Sequence, residues 1–324
     1  MRRGLVVAVA VVVIAIAGLA GWFAAGWYGG SQVAKDTAFV VPDGASLRST
    51  AAKLEEEGLI GSSDAFVLRA RILGSGDPVK AGEFMLPAGA SPATILDTLQ
   101  HGQVMRRMVT VPEGLPSIMV YERLMAEPLL TGTIEVPAEG SILPDSYDFE
   151  RGEARQAVLD RMQKAMSDFL AAEWPKRDKG LPVSSVKEAL SLAAIVEKET
   201  GVPTERRMVA GLYSNRLRIG MRLQADPTII YPITKGKPLG RRIKRSEITA
   251  VNGYNTYSMA GLPTGPITNP GRESILAVLH PAQTKALYMV ADGSGGHAFA
   301  DTLAEHNDNV VKWRAIRRER GEIP

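Results

Sequence analysis

The alternation of apolar and polar positions divides the chain into three stretches. The first hardly alternates at all. After Arg2 and Arg3 comes GLVVAVAVVVIAIAGLAGWFAAGWY, and no charged residue appears between Arg3 and Lys35. An apolar run of about 20 residues is long enough to cross the ~30 Å hydrocarbon layer as a helix. The pattern therefore predicts a transmembrane helix over residues 4–28, behind a cytoplasmic stub of residues 1–3. Trp22, Trp27 and Tyr28 fall at its far end, where an interfacial aromatic belt lies, and the two arginines hold the near end in the cytoplasm. Everything after about residue 30 is then extracytoplasmic, on the periplasmic side of a single-pass inner-membrane anchor. A cleaved signal peptide is the alternative, with small residues at Ala24–Gly26; its apolar region would be about 7–15 residues, shorter than this run.

The second stretch follows a linker at 29–36. Three phrases repeat one grammar: Val41-Pro-Asp-Gly-Ala-Ser46, Leu86-Pro-Ala-Gly-Ala-Ser91 and Val111-Pro-Glu-Gly-Leu-Pro116. Each follows a short strand-like run (AFV, GEFM, RMVT) and precedes a helical pattern (LRSTAAKLEEEG, PATILDTLQHG, SIMVYERLMAE). Pro-x-Gly makes a turn, and the Ser or Pro after it caps or opens a helix. This predicts a small α+β module over 37–105, with helices such as DAFVLRARIL on a short sheet.

The third stretch, 106–324, begins with the loop-like SILPDSYDFERG and continues with helical periodicity near 153–173, 184–200 and 203–218. Residues 220–272 then turn irregular and rich in Gly, Pro, Asn, Thr and Tyr. So long an irregular segment in a helical domain usually lines a site, because loops carry function on a rigid scaffold. A helix at 271–279, a strand ALYMVAD, a glycine turn GSGGH and a helix LAEHNDNVVKWRAIRRE close the chain. The fold class is α+β, with a mixed helical and β domain after the small module.

Composition narrows the chemistry. With 45% apolar residues, a sizeable core can be buried, and a net charge of +3 spread along the chain argues against nucleic acid as a partner. The absence of cysteine excludes disulfides, thiolate nucleophiles and Cys-based zinc sites. His101, His280, His297 and His306 show no metal-ligand spacing, and neither H-E-x-x-H nor G-x-S-x-G occurs. No metal or other cofactor is expected.

Carboxylates remain, and SLAAIVEKET (191–200) holds two of them close together. At about 100° per residue, Leu192, Ile195 and Val196 share one helical face. Glu199 lies seven, four and three residues after them, inside the apolar stripe and next to Gly201 and Pro203, which end the helix. Glu197 is rotated by about 200° and falls on the polar side with Glu188. A carboxyl in apolar surroundings is held protonated and can give a proton and later take one back. The alternative is an ion pair between Glu199 and Arg206, Arg216 or Arg222.

Three blocks, LAAIVEKETGVPTERRMVAGLYSNRLRIGMRLQADPTIIY, YNTYSMAGLPTGPITNPG and DGSGGHAFADTLAEHN, resemble the YceG-like family, the membrane-anchored endolytic murein transglycosylases. The resemblance covers almost the whole chain: anchor, LysM-like module over 37–105 and catalytic domain over 106–324. It implies cleavage of the β-1,4 bond between N-acetylmuramic acid and N-acetylglucosamine in nascent peptidoglycan strands. The muramoyl 6-hydroxyl attacks its own anomeric carbon and leaves a 1,6-anhydro end, which terminates the strand. In E-K-E-T the family's catalytic acid is the second glutamate, here Glu199.

A glycosidase that uses water needs two carboxylates, ~5–5.5 Å apart for retention or ~6.5–9.5 Å for inversion. A substrate that supplies its own nucleophile needs only one. Asn215, Gln224, Asn255 and Tyr257 are candidates to bind the substrate and stabilise developing charge, followed by Thr228 and Asn269; bracing of loops is the structural alternative for each. Asp226, before Pro227, could cap the next turn or act as a second carboxylate. The remaining readings are a two-carboxylate muramidase-type hydrolase and a non-catalytic scaffold for glycan strands or synthases. The resemblance implies peptidoglycan strands as substrate and peptidoglycan synthases, the penicillin-binding proteins, as partners.

Overall fold

The structure is a computed structural model that describes residues 2–323. It divides into two compact units, one of residues up to 107 with 149–152, the other of 108–148 with the chain from 153 onward.

The first unit opens with α1 (Arg2–Tyr28), a helix whose membrane-length apolar window is entirely exposed. After it come β1 (Thr37–Val41), α2 (Leu47–Glu56), α3 (Ser63–Leu73), β2 (Gly82–Leu86) and α4 (Pro92–His101). β1 and β2 pair antiparallel with Phe39 opposite Phe84. Both rings are fully buried, and they meet Leu54 of α2, Phe66 of α3 and Leu96 and Leu99 of α4. Ser46, Ser62 and Ser91 accept backbone N–H groups at the starts of α2, α3 and α4. The turns before α2 and α4 need glycine, since Gly44 and Gly89 hold φ of +71° and +80°. Two features tie the ends of the unit to this core. Trp27, in the last turn of α1, is 2% exposed with its ring 5.5 Å from that of Phe66. Glu83 is a buried carboxylate on β2 that takes Arg107 at 2.5 Å and Arg151 at 3.1 Å. Those two partners let it stay charged in a place where a lone charge would be strongly disfavoured.

The unit boundary falls inside β3 (Arg106–Thr110) and β4 (Ser146–Glu150), which pair with each other. β4 lies in the segment expected to be a loop. Its SYDFE composition is too polar to announce a strand by alternation.

The second unit contains α5 (Ser117–Ala126), α6 (Arg155–Glu173), α7 (Val186–Glu199), α8 (Arg206–Arg218), α9 (Pro227–Thr234), α10 (Arg245–Ile248), α11 (Arg272–Leu279), the hairpin β5 (Tyr288–Ala291) and β6 (His297–Ala300), and α12 (Leu303–Glu319). α7 is its axis. Leu192 through Val196 are fully buried, and α8 and α11 pack on either side through Val209, Leu212, Ile275 and Val278. Close approach explains one glycine in α8. A Cβ on Gly211 would stand 2.6 Å from the carbonyl oxygen of Ala282. The irregular interval after 220 holds two short helices, α9 and α10, which were not expected. α9 starts with proline at its first turn and stops at Lys235, whose φ of +57° ends the helical path.

Candidate functional site

α7 delivers the central residue. Ser185 caps its start by accepting from the N–H of Glu188, and its small and apolar residues fill the core. Glu199 is its last helical residue, followed by the extended Thr200. Its side chain forms part of the wall of a cavity of about 340 Å³, together with Tyr213 and Arg216 of α8, Gln224, Asp226 and Tyr257. Oε1 of Glu199 is closed off from solvent and has no hydrogen-bond partner among the described residues. Burial, reinforced by the nearby Asp226 carboxylate, pushes its pKa up to about 7; the Tyr213 hydroxyl and the Arg216 guanidinium oppose the rise. The periodicity argument for an inward-facing, protonated acid thus agrees with the geometry.

None of the three arginines named as ion-pair partners forms a salt bridge with Glu199. Arg206 pairs with Glu113 at 3.3 Å and lies 3.8 Å from Glu197. Arg222 donates to the carbonyl of Tyr257 at 3.0 Å. Arg216 is committed to carbonyls, through Nε to Leu287 and Nη1 to Leu223, both at 2.6 Å. Its charge is felt by Glu199 without a direct bond. Glu197, which the helical phase leaves to solvent or an ion pair, takes the ion pair with Arg206 and not the solvent. Its side chain is only 7% exposed, and it accepts the N–H of Gly271 at 2.9 Å. Helical phase puts it away from the α7 core stripe, but the loop before α11 covers that side.

Asp226 stands before α9 yet makes no capping bond. Its Oδ1 instead accepts the Tyr257 hydroxyl at 2.6 Å. Burial first, then that bond to Asp226, holds the phenol proton firmly, so Tyr257 remains a donor. Gln224 has φ of +54°, a left-handed conformation that costs a non-glycine residue about 1–2 kcal/mol. The hydrogen bonds that fix this bend are Gln224 N–H to the carbonyl of Thr256 at 3.2 Å and Ala225 N–H to Thr256 Oγ1 at 3.0 Å. Strain concentrated at a cavity wall fits a functional site.

The other sequence candidates brace loops and are not among the residues lining this cavity. The Asn215 amide donates to the carbonyls of Thr284 and Ala286. Thr228 is buried and bonds Ala225 and Thr256. Asn255 donates to the carbonyls of Glu247, Ile248 and Ala250. Asn269 joins three segments, bonding Leu115, Ser117 and Ile142. Polar residues in an irregular segment must satisfy one another before they can face a ligand, and single-sequence reading cannot separate the two uses.

Tyr213 was passed over in the sequence, and Arg216 was considered only as an ion-pair partner. Tyr213 and Arg216 lie one turn apart on α8; a tyrosine and an arginine inside an apolar stripe were the available signal. Behind Glu199, Thr200 Oγ1 bonds Glu205 Oε2 at 3.2 Å, and Glu205 takes both the ring Nδ1 and the backbone N–H of His297 at 2.8 Å. This clamp holds the end of α7 against the β5–β6 hairpin.

A larger cavity of about 520 Å³ adjoins the first and shares Lys198, Pro227 and Ile230 with it. Leu115, Pro116, Met119 and Lys237 are among its other walls. Glu199 thus lines a cavity that shares part of its wall with a larger one.

Comparison with known proteins places the chain in a family. The chain is 26% identical over 313 residues to the endolytic murein transglycosylase of Bacillus subtilis, a match spanning 86% of this chain and 85% of that protein. It is 26% identical over 322 residues to the endolytic murein transglycosylase of Streptococcus pneumoniae, but spans only 57% of that longer chain. The 2.6 Å crystal structure of a yceG-like protein from Listeria monocytogenes superposes with a TM-score of 0.52 at 25% identity, covering 85% of this chain and 99% of that one. The YceG-like family model matches residues 39–312, and the chain belongs to the YceG-like family.

Proposed function

We propose that the chain is an endolytic peptidoglycan lytic transglycosylase and that Glu199 is its catalytic acid and base. The observation that carries this is a buried carboxyl with its pKa raised to about 7 on a cavity wall, in a chain of the YceG-like family. Protonated Glu199 gives its proton to the oxygen leaving the anomeric carbon of N-acetylmuramic acid. The resulting carboxylate takes the proton of the muramoyl 6-hydroxyl as that oxygen closes on the anomeric carbon, and a 1,6-anhydro end forms. The proton count returns to its start, and no water is consumed. Positive charge developing on the sugar is stabilised by the Asp226 carboxylate, which Tyr257 holds in place. The larger cavity next to the one that Glu199 lines gives room for a strand that continues past the cleaved bond.

Asp226 on the same cavity wall supports one other reading, a hydrolase with two carboxylates. Mass spectrometry of glycan strands treated with the full chain separates the two. Anhydro ends, one water lighter, are expected; reducing ends alone would overturn the lytic mechanism. Glu199→Gln is expected to release neither.

The anchor reading of α1 belongs to the same proposal, with the remainder on the extracytoplasmic face and synthases of the wall as partners. In the first unit, β1, α2, α3 and β2 follow in the order expected of a LysM-like glycan binder. A cavity of about 430 Å³ between the turn before α2 and the segment after α3, lined by Ser46, Arg71, Ser75 and Asp77, supports that role.

A further inference from the structure

α3 carries an exposed apolar pair that the core of its own unit does not use. Leu68 is 52% exposed and Ile72 61% exposed. They lie four residues apart, on one stripe of the helix. Arg69 flanks this stripe, about 60° around the helix from Ile72. Its guanidinium lies 5.6 Å from the ring centre of Trp22 and 5.4 Å from that of Phe23, both on α1. Gly26 of α1 makes this approach feasible, because a Cβ there would stand 2.4 Å from Arg69 Nη2. Arg69 Nε is shut off from solvent and has no acceptor among the described residues. No carboxylate pairs with this arginine in the described residues. A cation has been brought against the aromatic end of an apolar helix and left without an anion.

The height of this site along α1 follows from helix geometry. At 1.5 Å per residue, Gly4 to Trp22 rises about 27 Å, close to the ~30 Å of a hydrocarbon layer. Trp22 then stands at the outer boundary of the acyl chains, and Arg69 at the level of the lipid phosphates. We infer that the C-terminal half of α3 is a lipid contact. Leu68 and Ile72 enter the boundary between acyl chains and headgroups, and Arg69 takes the phosphate of a phospholipid. Exposed Arg71 beside them adds a second cation for an anionic surface. Asp64, exposed one turn before Leu68 on the same stripe, keeps the N-terminal end of α3 out of the layer. The inference rests on α1 being the anchor, and the test treats the two separately.

The chain has no cysteine, so single labels can be placed anywhere. The full chain is reconstituted in nanodiscs of phosphatidylcholine and phosphatidylglycerol, with a spin label at Leu68→Cys, Ile72→Cys, Ile14→Cys or Val251→Cys. Collision rates with oxygen and with a nickel chelate report depth. Ile14 reads the anchor, and Val251, 89% exposed in the second unit, reads water. Labels at 68 and 72 are expected to show an oxygen-to-nickel ratio several-fold above that at 251 and below that at 14. Adding Arg69→Gln, or Gly26→Leu to displace the guanidinium, is expected to lower the ratio at 72 at least by half. Aqueous values at 68 and 72 with Ile14 in lipid overturn the inference and leave the face to a protein partner. An unchanged ratio at 72 in both Arg69→Gln and Gly26→Leu overturns the phosphate contact. An aqueous value at Ile14 overturns the anchor reading itself.

Discussion

Glu199 and Glu139 are both acids of the second unit whose pKa values burial pushes up to about 7, and they are built into different surroundings. Both oxygens of Glu139 accept the backbone N–H of Ser117, at 3.1 and 3.0 Å, where α5 begins. Glu199 leaves Oε1 without a partner among the described residues and lies on a cavity wall. A raised pKa is therefore no sign of catalysis by itself. The difference lies in whether the carboxyl's bonding capacity is already used. An unsatisfied buried polar atom costs free energy and needs a reason; for Glu199 the reason we propose is a proton held ready for substrate.

The comparison can be broken most directly by neutralising each acid. Glu199→Gln should lower the rate of glycan cleavage by roughly 10²–10⁴-fold, the usual contribution of a general acid or base. Glu139→Gln should stay within a few-fold of the original rate. Equal losses in the two variants, scored by mass spectrometry of released ends, would remove the distinction.

Stability against pH tests what the two acids share. The folded pKa of Glu199, about 7, lies above its ordinary 4.5. Folding then holds a proton that the unfolded chain gives up. The resulting penalty is absent below about pH 4.5, grows between the two values and is complete above about pH 7. Glu199→Gln should accordingly be more stable than the original chain at about pH 8, by up to about 3 kcal/mol, and lose that advantage at about pH 4. Denaturant unfolding at the two pH values measures this. Glu139→Ala should instead destabilise by about 2 kcal/mol at about pH 5, because it leaves the Ser117 N–H without an acceptor; an unchanged midpoint would show that the bond contributes nothing.

Smaller effects sharpen the account of Glu199. Asp226→Asn removes the second cause of its raised pKa, so the alkaline limb of kcat/KM should move to lower pH. An alkaline limb that stays in place would mean another group controls it. Glu205→Gln loosens the clamp among Thr200, Glu205 and His297. It should lower kcat several-fold with little change in KM, and a pure KM effect would place the clamp in binding instead.

Much of this was readable from sequence wherever one physical rule dominated. The uncharged run after Arg3, the Pro-x-Gly turns at Gly44 and Gly89, and the inward phase of Glu199 each follow from local chemistry. What escaped depends on how loops close on one another or on elements too short to show a period. Glu197 is enclosed by the loop at Gly271, which helical phase cannot foresee. Asn255 and Asn269 bond backbone carbonyls across loops. β6 has four residues, too few to show a period of two. Tyr213 reads as an ordinary member of α8 until its packing turns it toward Glu199.

The place of Glu199 as the final residue of α7 has one more consequence. The peptide dipoles of a helix add up to partial negative charge at its C-terminus and positive charge at its N-terminus. Glu139, bonded to the first N–H of α5, faces the end that favours an anion. Glu199 faces the end that disfavours one. The backbone of α7 itself thus helps keep the acid neutral, and no side-chain substitution can take that away. Even with Asp226 gone, burial would still favour the neutral acid, and the field of α7 would add to it.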